Sequence, residues 1–149
     1  MANEAILAWG TEKTLEASGA SVTSAAIVQA NDATYGVVAD GASFPDAEFV
    51  LRCQWATITS IENKTLDLYG RELNIDGTSD AIAPTATYTH RYIGSFRISA
   101  VAANTDQYMK LIGYDVPKEA EYYLVNSSGQ TVSAGWTLKV TPRTYKPAV

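Results

Sequence analysis

The stretch that decides the fold is Phe49-Val50-Leu51-Arg52-Cys53-Gln54-Trp55-Ala56. Phe49, Leu51, Cys53 and Trp55 fall on one side of an extended chain, and Val50, Arg52, Gln54 and Ala56 fall on the other. A period of two is the signature of a strand with one buried face, because successive side chains of a strand point to opposite faces. A helix would scatter those four apolar residues around its circumference. Cys53 shares the apolar side, so it reads as a small core hydrophobe rather than a reactive thiol.

The same texture extends outward in both directions. Trp136, Leu138 and Val140 alternate with Thr137, Lys139 and Thr141. Tyr88, His90, Tyr92, Phe96 and Ile98 are expected to share the apolar side of another strand. Between Lys64 and Ile75, Leu66 and Leu68 have one parity and Leu73 and Ile75 the other. That change beside Gly70 predicts a β-bulge that returns both pairs to the buried side. Shorter strands are expected over residues 13–17, 21–29, 35–38, 108–114 and 121–125, although Ala25 and Ala26 would also suit a helical turn. Asp40-Gly41 and Asp76-Gly77 mark turns, Asn126-Ser127-Ser128-Gly129 reads as a hairpin or tight loop, and residues 76–84 read as a surface loop. No amphipathic helix of ten residues or more and no internal repeat is apparent. Nine or so strands without helices predict an all-β protein, an antiparallel two-sheet β-sandwich over residues 11–149. Residues 1–10 stand apart as an edge strand or an arm that docks on a neighbour. Trp9 either caps the domain's own core or is buried by a partner, since an indole is costly to leave in water.

Composition bounds the chemistry. The chain of 149 residues is 46% hydrophobic and only 18% charged, against about 25% in an average domain. One Cys and one His exclude an internal disulfide, a multi-Cys zinc site and a His-rich metal centre. His90 is the sole general-base candidate of suitable pKa, but no nucleophile elbow accompanies it, so a structural histidine is expected. Asn74, Asp76, Thr78 and Asp80 offer oxygen ligands at alternate positions, as a calcium loop begins, but the closing glutamate of an EF-hand is missing; an Asx-turn loop is the favoured reading. A carboxylate pair such as Asp67 and Glu72 would need a spatial separation that spacing cannot supply. The expectation is therefore no enzyme activity and no cofactor.

Net charge is −5, which argues against nucleic acid as a partner. Residues 1–62 carry 2 basic and 8 acidic residues, net −6, and residues 63–149 carry 9 and 8, net +1. That asymmetry predicts either a polarised surface that meets a basic partner or merely a soluble surface. The first ten residues lack the basic leader and the apolar length of a signal peptide, and no run approaches 18 apolar residues, so no membrane association is expected. The sequons at Asn63 and Asn126 read as turn residues. Eight of the nine Tyr lie from Tyr69 onward; strand propensity explains most of them, and one of Tyr122 and Tyr123 should face outward. Exposed aromatics on a sandwich stack on sugar rings or fill protein interfaces.

Lys64-Thr65-Leu66-Asp67-Leu68-Tyr69-Gly70-Arg71, then Leu73-Asn74-Ile75-Asp76-Gly77, and the run from Gly129 to Pro142 resemble the small jelly-roll head-decoration, or cement, proteins of tailed bacteriophages. The resemblance spans residues 12–149 and is one of texture rather than of a short motif. It implies a jelly-roll β-sandwich that binds the outer surface of an assembled capsid, as a homotrimer, and clamps neighbouring major capsid proteins. It also implies a virion structural protein made in the host cytoplasm, with no catalytic residues. The apolar run outside the sandwich pattern, Ala5, Ile6, Leu7 and Trp9, is the expected partner contact. The rival reading is a carbohydrate-binding or lectin-like module with a glycan as partner, and a small hydrolase built on His90 ranks last.

Overall fold

Strands form where the alternation is strongest, and a computed structural model describes them for residues 5–38, 40, 44–88, 91–99 and 102–147. They are β1 (Ala5–Trp9), β2 (Lys13–Gly19), β3 (Ile27–Gln29), β4 (Asp46–Cys53), β5 (Thr65–Glu72), β6 (Arg91–Arg97), β7 (Gln107–Gly113), β8 (Ala120–Asn126) and β9 (Trp136–Pro147). Among the described residues there is no helix.

The pairing is nested. β5 pairs with β6, β4 with β7, β3 with β8 and β2 with β9, all antiparallel. This is one long hairpin with β5 and β6 at its head. Rolling it brings β9 against β4 and β8 against β5. The result is two sheets, ordered β2-β9-β4-β7 and β3-β8-β5-β6, with β1 added beside β9. That is the jelly-roll arrangement of an antiparallel two-sheet sandwich. Eight strands stack face to face, and the chain changes sheet at nearly every connection.

The core lies between the sheets and follows the parity of the sequence. Ala47, Phe49, Leu51 and Cys53 of β4, Leu138 and Val140 of β9, and Leu66 and Leu68 of β5 are buried. Phe49 meets Tyr122 of β8 with ring centroids 5.1 Å apart, and Tyr122 reaches Tyr35 at 6.4 Å. These rings cross the gap between the sheets, and each large side chain so buried contributes about 1.5–3 kcal/mol. Glycines let β6 and β7 close one side of the sandwich: a Cβ on Gly113 would sit 2.9 Å from Ile93, and one on Gly94 would sit 3.3 Å from Leu111. Trp136 packs on Gly19 and donates its indole N–H to the carbonyl of Ala20 at 2.8 Å.

Several local expectations are corrected. A register shift does occur next to Leu68, but it belongs to β6, where Ile93 is the extra residue between Gly94 and Tyr92. β5 runs in unbroken register with β8 and ends at Glu72, so Leu73 and Ile75 do not return to the core, and Ile75 is 60% exposed. The same bulge puts Tyr92 on the face opposite Phe96, and Tyr88 lies in a turn before β6. His90 lies outside the described residues. Of residues 21–29 only Ile27–Gln29 form a strand, because Ala25 takes φ of 62° and breaks the extended run. The segment 35–38 contributes only an isolated bridge from Tyr35 to Ala120. The loop Asn126-Ser127-Ser128-Gly129 carries the chain from one sheet to the other instead of closing a hairpin.

Candidate docking surface

β9 is longer than the sandwich needs. Its first half, from Trp136 to Val140, pairs with β2 on one side; its second half, from Arg143 to Pro147, pairs with β1 on that same side. The changeover falls at Pro142. In an antiparallel ladder a residue's N–H and C=O point to the same neighbour. The Pro142 carbonyl accepts from Gly10 N–H at 2.8 Å, so the donor that proline lacks would also have faced the bend between β1 and β2. Gly10 lets the bend pack closely, since a Cβ would lie 3.0 Å from the Pro142 ring.

Beyond Arg143, the last residue of β9 that pairs with β4, β1 and β9 continue as a two-stranded ribbon. Registry puts Leu7 opposite Tyr145 and Trp9 opposite Arg143, with Ala5 opposite Pro147. These six share the outward parity of the sheet. Ile6 lies opposite Lys146 and Ala8 opposite Thr144 on the other face. The expected contact residues Ala5, Ile6, Leu7 and Trp9 are therefore an edge strand fixed by a ladder. Trp9 does not cap the core: it is 47% exposed, beside Ile6 at 50%, Leu7 at 38% and Tyr145 at 61%.

Arg143 sits at the centre of this face. Its guanidinium carbon lies 5.7 Å from the Trp9 ring and 5.8 Å from the Tyr145 ring. Its Nε is shielded from water and has no acceptor among the described residues, and no described carboxylate lies within ion-pair distance. On the reverse face Lys146 lies over Phe44 at 4.8 Å, likewise without an ion-pair partner among the described residues. Trp, Tyr and Arg together, half exposed around an unpaired charge, are the composition of interface hot spots. The reading of the N-terminal segment alone missed Arg143 and Tyr145. Their signal was present, since both continue the outward parity of Thr137, Lys139 and Thr141 past Pro142.

The carboxylates of the first half divide between ion pairs and backbone hydrogen bonds. Lys13 pairs with Asp40 at 2.6 Å, Lys139 with Glu12 at 2.7 Å and Lys110 with Glu48 at 3.3 Å. Glu16 accepts from the backbone of Ser18 and Asn31, Asp32 from Ala17, and Asp46 from Asp115. Asp40, Glu12 and Glu48 are thus ion-paired, whereas Glu16, Asp32 and Asp46 receive backbone N–H groups that hold the carboxylates in place without cancelling their charge.

The remaining chemical candidates have structural roles. Burial pushes the Cys53 thiol up to about 12, with Asp106 adding to the effect. Asp76 accepts the backbone N–H groups of Thr78 and Ser79 and both their hydroxyls, which holds its carboxyl down at about 2. Asp80 accepts from Asn74 N–H and lies 3.8 Å from Arg71. The loop is an Asx turn whose oxygens serve its own backbone. Among the described residues no three His, Cys, Asp or Glu side chains gather as a metal site would need.

Comparison with protein-family models, curated proteins and solved structures gives no match for this chain.

Proposed function

We propose that the chain is a virion structural protein that binds the outer capsid surface, joins neighbouring major capsid proteins and acts as a trimer. The observation that carries the docking half of this reading is the β1–β9 ribbon, with Leu7, Trp9 and Tyr145 exposed around Arg143, which has no ion-pair partner among the described residues. The capsid half rests on the sequence resemblance to phage head-decoration proteins, and the jelly roll is the fold which that resemblance implies. A ribbon anchored by a register of five residue pairs presents its side chains at little entropic cost, because the backbone is already ordered. The unpaired guanidinium calls for a carboxylate on the partner, flanked by apolar surface that covers the two rings. Many copies on a lattice multiply such contacts, so each interface can be modest in area.

Co-sedimentation of the purified chain with undecorated heads of the phage that encodes it tests the proposal. Wild-type protein should pellet with the heads, and Arg143→Glu should lose binding while its circular dichroism spectrum stays that of the wild type. A wild-type chain that stays in the supernatant at every salt concentration would overturn the reading.

A further inference from the structure

The outer face of the second sheet holds a site of different chemistry. The connection from β5 to β6 folds back across this face. Arg71 donates from Nε to the carbonyl of Ala81 at 2.7 Å, Ala81 and Pro84 are buried, and Ala86 reaches the far end of β8. On the same face Tyr123, which points outward by parity, is only 8% exposed and its hydroxyl reaches Gln29 and Glu121. Where that connection ends it leaves an open cleft of about 440 Å³, within the roughly 300–1,000 Å³ range of small-molecule sites.

The cleft is built rather than incidental. Ile27, Val125 and Ala86 supply apolar lining, and Ser24 and Ser127 supply hydroxyls. Its walls are tied together by Asn126, which is fully buried. The Asn126 amide donates to the carbonyls of Val22, Thr23 and Gln130, and its oxygen accepts from the N–H and hydroxyl of Ser128. Ala25 on the rim is held at φ of 62°, with its N–H on the Asn126 carbonyl at 2.8 Å. A non-glycine residue kept in the left-handed region by its surroundings is the kind of strain that gathers at ligand sites.

A hydrogen-bonded row leads away from the cleft. Ser127 donates to one oxygen of Asp67 at 2.9 Å, Ser95 donates to the other, and the Tyr92 hydroxyl meets Ser95 at 2.6 Å. Tyr92 is 55% exposed and packs on Tyr69 at 5.5 Å between centroids. The row crosses from β8 to β6, two strand spacings or about 10 Å.

We infer that this face binds a neutral oligosaccharide, one sugar ring in the cleft and a further ring on Tyr92. Among the described residues the cleft lining carries no charged side chain, and the nearest charge along the row is the Asp67 carboxylate, which disfavours anions. A pyranose presents an apolar C–H face and a rim of hydroxyls, which matches an apolar floor of Ile27, Val125 and Ala86 edged by Ser24 and Ser127. An exposed aromatic ring with a polar tip suits a unit further along the chain of sugars. This inference does not depend on the docking proposal, since it uses the opposite sheet.

The test is an NMR titration of the ¹⁵N-labelled full chain with lactose, maltotriose, cellotriose and chitotriose. At least one should shift the amides of residues 24–27, 86 and 125–129. Ala86→Trp, on an exposed turn, should abolish those shifts, and Tyr92→Ala should weaken trisaccharide binding several-fold while sparing binding of lactose, the shortest of the four. Absence of shifts with all four sugars in the millimolar range would overturn the inference. So would sugar shifts that persist in Ala86→Trp.

Discussion

Gly19 and Trp136 make one unit, because a Cβ on Gly19 would lie 2.1 Å from the indole ring. Gly19→Ala should therefore destabilise the fold by about 1–3 kcal/mol through overpacking, and Trp136→Ala by about 3–5 kcal/mol through the cavity it leaves; urea denaturation measures both. Cys53 makes a chemical prediction. Its thiol is raised by burial from an ordinary 9.0 to about 12, so the folded protein should resist thiol reagents at pH 8 and react only on unfolding. The sign follows from linkage: a folded-state value above the unfolded one gives a contribution present below pH 9 and lost as the pH rises toward 12. Asp76 has the opposite sign. Its value is lowered to about 2 from 3.8, so the turn it holds should persist above pH 4 and open as the pH falls toward 2, seen as faster exchange of the Thr78 and Ser79 amides. Residues such as Phe49, Leu51, Cys53 and Trp55 could be placed from sequence because parity alone decides their face. Ile75 could not, because nothing in its own neighbourhood reveals that β5 stops at Glu72.

At the scale of elements, strands with two paired neighbours were the legible ones. β4 and β9 announce themselves because both edges are hydrogen-bonded and one face is buried, which forces alternation. β3 is three residues long and half covered, so its sequence is free to look ambiguous. The bulge in β6 was misplaced onto β5 because a parity change in one strand and an extra residue in its partner leave similar traces. The ribbon was half legible: the apolar run of β1 stands out, but its pairing with the end of β9 is a contact between opposite ends of the chain. The ribbon's stability should be separable from that of the sandwich. Trp9→Ala should change the urea midpoint little, since the ring is half exposed, yet cost about 2 kcal/mol or more of docking energy if it is a hot spot. Titration calorimetry or sedimentation against undecorated heads would read the second effect.

The whole molecule was legible as a class before it was legible as a topology. Alternation, turn residues and the absence of helical patterning suffice for a two-sheet sandwich, whereas strand order arises from pairings between distant segments. The candidate surface shows the same division. Exposure of Leu7 and Trp9 follows from the outward parity that their register with β9 gives them, and the lack of an ion-pair partner for Arg143 among the described residues depends on which carboxylates the fold consumes elsewhere. The charge asymmetry of the chain, which suggested a basic partner, is reduced by the lysine pairs of Glu12, Asp40 and Glu48, while Arg143 of the ribbon has no ion-pair partner among the described residues and favours an acidic group on whatever docks there. Salt should then weaken capsid binding only modestly, because the shielded Arg143 feels screening less than exposed charges do. The most direct test of the docking account is a cryo-electron microscopy reconstruction of undecorated heads incubated with the chain. The account predicts added density on the outer shell, with the β1–β9 ribbon buried against capsid subunits and a carboxylate facing Arg143. A bound sandwich whose ribbon points into solvent, or a shell with no added density at saturating protein, would contradict it.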